Sequence, residues 1–146
     1  FTMPNADADG RVIIKMIKEY VRNNPTKSTY YTSLGHLKYL SIMQFIDGVV
    51  GNSSSGIIEA PTFKIGTVNI GDRQKGRIQA NSIINCEPIS ELIIKSIEKI
   101  YSKSFQENLQ KVSNPYYQGK KSSKMILKIV ASFDSNNVLK KKFFDL

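Results

Sequence analysis

A chain of 146 residues fits one domain, and a hydrophobic share of 40% supports a packed core, which excludes a wholly disordered chain. Lys and Arg number 21 against 12 for Asp and Glu, so the net charge is +9, which suits an anionic partner. The single cysteine, Cys86, excludes an internal disulfide and fits a reducing, cytoplasmic setting.

No apolar run nears the ~20 residues that cross a membrane. Phe1-Thr2-Met3-Pro4 has neither the basic start nor the apolar stretch of a signal peptide. Without a methionine at residue 1, the chain reads as if cut from something longer.

Phe1 to Met3 reads as the end of a strand, stopped by Pro4 and followed by the polar turn Asn5 to Gly10. Val12, Ile13, Met16, Ile17 and Tyr20 recur at helical spacing, so Arg11 to Arg22 is predicted helical. Ser28 to Ser33 is β-branched and aromatic, hence a second strand. After Leu34-Gly35, a second helix runs from His36 to Phe45. Ile46 to Gly51 contains the third strand, Ile57 to Phe63 a helix shortened by Pro61, and Thr67 to Ile70 the fourth strand.

Gly71 to Arg77 is a glycine-bounded loop carrying Arg73, Lys75 and Arg77. Ser82 to Cys86 is the fifth strand. Pro88 is placed in the first turn of a long helix, where its missing N–H costs nothing. Ser104 to Val112 is a short helix, and Lys120 to Phe133 a last one with Met125, Ile126, Ile129 and Val130 on one side. Residues 1–133 are read as one domain and 134–146 as a basic tail.

Strand and helix alternate throughout, which implies βαβ units and a Rossmann-like α/β fold: a parallel sheet with helices on both faces. Ligands of such sheets sit beyond the carboxyl ends of the strands. Three polar turns fall at those ends: Pro4 to Gly10, Gly51 to Gly56 and Gly71 to Arg77.

The middle turn, Gly51-Asn52-Ser53-Ser54-Ser55-Gly56, organises the chain. Asn52 or Ser53 is suited to cap the helix after it. Its small side chains let an anion approach free N–H groups at the positive end of a helix. Glu59 follows where a carboxylate can accept bonds from two neighbouring hydroxyls. A phosphate cradle followed by a diol clamp suggests a nucleotide or nucleotide-sugar. A capped helix in any α/β domain is the plain alternative.

Pro4-Asn5-Ala6-Asp7, Ser33-Leu34-Gly35, the run from Gly51 through Glu59-Ala60-Pro61, and Gly71-Asp72-Arg73-Gln74-Lys75-Gly76-Arg77 together resemble the UDP-N-acetylglucosamine 2-epimerase family. The resemblance is in register from residue 1 to about residue 101 and looser beyond. It is nearest to the hydrolysing branch of sialic acid biosynthesis. The non-hydrolysing branch usually carries an aspartate and two glycines at the positions of Asn52, Ser54 and Ser55, and lacks the Arg73 to Arg77 run.

The resemblance implies the carboxyl-terminal half of a GT-B type two-domain enzyme that is both hydrolase and isomerase. Its substrate is a UDP-sugar, from which it releases UDP and a 2-inverted N-acetylamino sugar. By match of motif, Asn5, Ser53, Ser54, Glu59 and Arg73 bind UDP, with Arg77 either a weaker candidate or a structural ion-pair partner. The proton-moving carboxylates are expected in the amino-terminal half, so no residue here is assigned as catalytic. No metal or other cofactor is implied. The expected partners are the amino-terminal domain and further copies in a homo-oligomer, with no membrane or nucleic acid.

Two other functions fit parts of the pattern. One is a GT-B glycosyltransferase half. The other is a basic nucleic-acid module, with Lys120, Lys121, Lys124, Lys128 and Lys140 to Lys142 beside Tyr116, Tyr117, Phe143 and Phe144. A solvated helix face, with a tail packed on the missing half, explains the same lysines. His36, the lone histidine, reads as a surface or cap residue rather than a general base. Asp7 and Asp9 read as a helix cap and first-turn charge, and Cys86 as a buried small hydrophobe.

Overall fold

The computed structural model describes residues 1–4, 9–117, 119 and 122–133. Asn5, Asp7 and the tail 134–146 lie outside the described residues. The elements run α1 (Gly10–Asn23), α2 (Gly35–Ile42), β1 (Gly48–Gly51), α3 (Ser55–Ile58), a 3-10 turn (Ala60–Phe63), β2 (Gly66–Ile70), β3 (Ile83–Cys86), α4 (Ser90–Tyr101), α5 (Lys103–Leu109) and α6 (Ser122–Ser132).

The sheet is parallel and three-stranded, ordered β1-β2-β3. Gly48 pairs with Gly66 and Gly51 with Asn69, while Thr67 pairs with Ile83 and Asn69 with Asn85. Central β2 is buried over Gly66 to Asn69, as a strand covered on both faces must be. Adjacent residues of a strand point to opposite faces. Thr67 donates its hydroxyl to the Gly56 carbonyl of α3 at 2.9 Å. Its neighbour Gly66 faces the other way, where an added Cβ would lie 3.0 Å from Ile100 of α4 and 2.9 Å from Phe105 of α5. Helices therefore cover both faces, and the α/β class read from the alternation is the one observed.

The core is built beside this sheet. Met43, Ala60 and Ile65 are buried together, with Tyr39, Leu40, Ile46, Val49 and Phe63 packed around them. Ala80, Leu109 and Val112 form a second cluster with Ile83 and Phe105. Burying a side chain such as Met43 stabilises the fold by about 1.5–3 kcal/mol.

Several expectations are corrected. The first two predicted strands shrink to one parallel bridge between Thr2 and Tyr31. Strand preference is realised only where a neighbour pairs and a face is buried, and residues 29–33 are exposed. The helix expected over Ile57 to Phe63 is instead one turn of α-helix and a separate 3-10 turn. Pro61 has no N–H to continue the α pattern, and it occupies the first turn of the second piece. Pro88 lies ahead of α4, because Ile89 is extended at φ −117° and the helix starts at Ser90.

Asp9 occupies the cap position of α1, yet makes no side-chain cap bond. Its backbone carbonyl accepts from Val12 and Ile13 instead. Cys86 is half-buried on β3 and lines an open groove of about 430 Å³ with Leu92 and Ser96. α6 forms as the spacing predicts, but Met125, Ile126, Ile129 and Val130 are exposed.

Candidate functional site

β1 and β2 are adjacent and parallel, so the turns that leave their carboxyl ends are neighbours by construction. One side chain joins them. Gln74, in the loop after β2, is 3% exposed and donates from Nε2 to the Asn52 carbonyl, in the turn after β1, at 2.8 Å. Its Oε1 is buried with no partner among the described residues. The serine turn and the arginine loop thus form one rim of the sheet, as the placement of polar turns predicts. The first turn, with Asn5, lies outside the described residues.

The serine turn is held at several points, and these decide which of its groups remain free. Ser55 donates its hydroxyl to the Tyr39 hydroxyl of α2 at 2.7 Å, so that group has a structural use. Ser53 accepts at Oγ from the Ser55 N–H at 3.3 Å. This bond replaces the expected cap: α3 begins at Ser55 with Ser54 in the cap position, and no side chain caps it. Ser54 makes no side-chain hydrogen bond among the described residues, and the Ser53 hydroxyl proton is likewise free. Their two backbone N–H groups find no acceptor there either. Ser53 is exposed and Ser54 half-exposed. Adjacent free N–H groups and hydroxyls on a small-residue turn can bind an anion. Because α3 is a single turn, its dipole adds less than the longer predicted helix would.

Glu59 ends α3, with its N–H bonded to the Ser55 carbonyl at 3.0 Å. Its side chain is half-exposed and has no hydrogen-bond or ion-pair partner among the described residues. Asn114 holds the chain on both sides of it, donating from Nδ2 to the Ile58 carbonyl and to the Thr62 side chain at Oγ1, each at 2.7 Å. Lys64, at φ 59°, binds the Val112 carbonyl through Nζ, and Tyr116 donates its hydroxyl to the Ile78 carbonyl at 2.9 Å. The segment from Val112 to Tyr116 therefore ties the end of α3 and the 3-10 turn to Ile78, the residue after the arginine loop.

Arg73 and Arg77 are both exposed. The ion pair expected for Arg77 is not found: among the described residues the one pair is Arg22 with Glu19 at 4.0 Å. Both arginines are consequently free to meet an anion. His36 is exposed at the start of α2. No group of three or more His, Cys, Asp or Glu side chains suited to a metal ion occurs among the described residues.

Gln74, Tyr39 and Asn114 are the residues that sequence reasoning missed. A glutamine between two cations in a polar loop looks solvated. Only its packing against the neighbouring turn makes it a buried tie.

A parallel sheet covered on both faces, with a small-residue turn and a cationic loop tied together at its carboxyl rim, defines a Rossmann-like α/β domain. The family described as UDP-N-acetylglucosamine 2-epimerase matches residues 1–131. Over 146 residues the chain is 42% identical to the GDP/UDP-N,N'-diacetylbacillosamine 2-epimerase (hydrolyzing) of Campylobacter jejuni, and covers 38% of that protein. It is 33% identical over 146 residues to the polysialic acid biosynthesis protein P7 of Escherichia coli, covering 37% of it. Over 121 residues, 83% of the chain, it is 31% identical to the UDP-N,N'-diacetylbacillosamine 2-epimerase (hydrolyzing) of Legionella pneumophila, covering 30% of that protein. The chain belongs to the UDP-N-acetylglucosamine 2-epimerase family, and spans less than two fifths of the length of these relatives.

Proposed function

We propose that this chain is the UDP-binding, carboxyl-terminal half of a hydrolysing UDP-sugar 2-epimerase of GT-B type. The observation that carries the reading is the Gln74 to Asn52 bond, which unites the serine turn and the Arg73 loop at one rim. The names of the relatives support the reaction class.

Ser53 and Ser54 hold the diphosphate through hydroxyls and backbone N–H groups. Glu59, unpartnered and half-exposed, accepts bonds from the ribose hydroxyls, and Arg73 adds positive charge at the UDP end. By match of motif, Asn5 is assigned to UDP binding as well. The amino-terminal domain supplies the carboxylates that move protons. One takes the proton from carbon 2 of the sugar as the bond from carbon 1 to the UDP oxygen breaks, which leaves a glycal and free UDP. Water then adds its hydroxyl to carbon 1, and a proton arrives at carbon 2 from the opposite face, which inverts that centre. The exposed apolar side of α6 packs against the amino-terminal domain.

The reaction is tested with the full-length protein in heavy water. Elimination and re-addition should place deuterium at carbon 2 of the released amino sugar. A glycosyltransferase would leave that carbon unlabelled, and such a result would sink the proposal. The fragment alone should bind UDP and turn nothing over, so robust hydrolysis by it counts against the assignment of roles. UDP should also bind in preference to CMP or a short RNA. Tighter binding of RNA would favour a nucleic-acid module.

Residue roles are tested by titration. Glu59→Ala and Arg73→Ala should each weaken UDP about tenfold, roughly 1.5 kcal/mol, as expected for loss of one charge-assisted contact. His36→Ala should leave UDP affinity unchanged. Equal loss in all three variants would mean general misfolding rather than loss of ligand contacts.

A further inference from the structure

We propose that Gln74 is a positioning residue for the diphosphate. It does not touch the ligand; it sets the serine turn against the Arg73 loop so that both reach the same phosphates. The inference rests on the UDP-binding reading above and deepens it.

The geometry is specific. Gln74 is 3% exposed, and its amide nitrogen is 2.8 Å from the Asn52 carbonyl, directly before Ser53. Its own backbone directly follows Arg73, and its carbonyl accepts from the Arg77 N–H at 3.3 Å. One residue thus links the serine turn, Arg73 and Arg77. The amide orientation is dictated, because the reversed group would set oxygen against the Asn52 carbonyl.

The other half of that amide is unusual. Oε1 is buried and unpaired among the described residues, which is a cost to folding, and native folds keep few such groups. A residue chosen for stability would shed this oxygen. What Gln74 supplies instead is a donor at one place, aimed at the turn that carries the free Ser53 and Ser54 groups.

This separates affinity from stability. Methionine is of similar length to glutamine and has neither the amide donor nor the carbonyl oxygen. Gln74→Met removes the orphan oxygen and the bond to Asn52. Asn52 is exposed, so its released carbonyl can bind water. The folded state should lose little, while the serine turn loses its tie to the arginine loop.

The experiment uses the full-length protein, with UDP and uridine as probes and the unfolding midpoint as a control. Gln74→Met should bind UDP about five- to tenfold more weakly, the range of one lost hydrogen bond. Uridine affinity and the unfolding midpoint should be unchanged. Ser53→Ala should then cost less in the Gln74→Met background than in the wild type, because the two act on one contact.

Wild-type UDP affinity in Gln74→Met overturns the inference. So does equal loss of UDP and uridine, or a variant that unfolds, since each would make Gln74 a residue of the fold rather than of the site. A wild-type protein indifferent to UDP overturns the nucleotide reading itself, and that is seen before any variant is made.

Discussion

Gly56→Val is expected to destabilise the chain by about 3 kcal/mol, the upper part of the range for overpacking a core. Gly56 is buried at the junction of α3 and β2. A Cβ there would lie 2.6 Å from Cγ2 of Thr67, closer than real carbon atoms approach. Thr67 cannot give way. It is 2% exposed, β-branched and therefore stiff at χ1, and its hydroxyl is bonded to the Gly56 carbonyl. The strain must move α3 off the sheet, and with it the serine turn. UDP affinity should fall along with the unfolding midpoint. Thr67→Ser keeps the hydroxyl and removes the methyl that clashes, so in Gly56→Ala it should restore much of both. Gly56→Ala and its Thr67→Ser double variant compared by thermal melting check this. An absence of rescue would show that the close approach of methyl to helix is not what the glycine serves.

Met43→Ala is the second large effect, a loss of about 2–5 kcal/mol. Met43 is 1% exposed and packs with Ala60 and Ile65, with Tyr39, Leu40, Ile46, Val49 and Phe63 around it. Truncation removes most of a side chain on which α2, the strand β1 and the 3-10 turn converge. The cavity left cannot close fully, because those elements are also held by the sheet and by the Tyr39 contact with Ser55. Chemical denaturation should show the midpoint fall with little change in slope. Met43→Leu, which conserves volume, should cost below about 1.5 kcal/mol. A small loss in Met43→Ala would mean that α2 is not part of the cooperative core.

Much of the molecule was legible because it depends on local pattern. Helical spacing from Val12 to Tyr20 and from Leu92 to Tyr101 identifies helices that are observed within a residue or two of their predicted positions. Val49-Val50 and Thr67 to Ile70, set between glycines, identify strands, and alternation with helices implies the parallel pairing. The serine turn and the glycine-bounded arginine loop were legible for the same reason, since turn chemistry is written in small residues.

The rest depends on partners that pattern does not encode. Ser28 to Ser33 has strand composition but pairs at Tyr31 alone. Asn52, Ser53 and Ser55 look equivalent in sequence. Ser55 is diverted to Tyr39, sixteen positions away, while the hydroxyl of the neighbouring Ser54 has no partner among the described residues. Asn114 supports the backbone around Glu59 from a loop that carries no motif.

The order of residues alone settled where β1, β2 and β3 lie, that polar turns follow β1 and β2, and that the turn after β1 is small and hydroxyl-rich, because each of these follows from the preferences of neighbouring residues. Tertiary structure alone decided which hydroxyls stay free and that Gln74 is buried as the tie between two turns. It did so because a hydrogen bond across 22 positions is fixed by how β1 and β2 pack side by side.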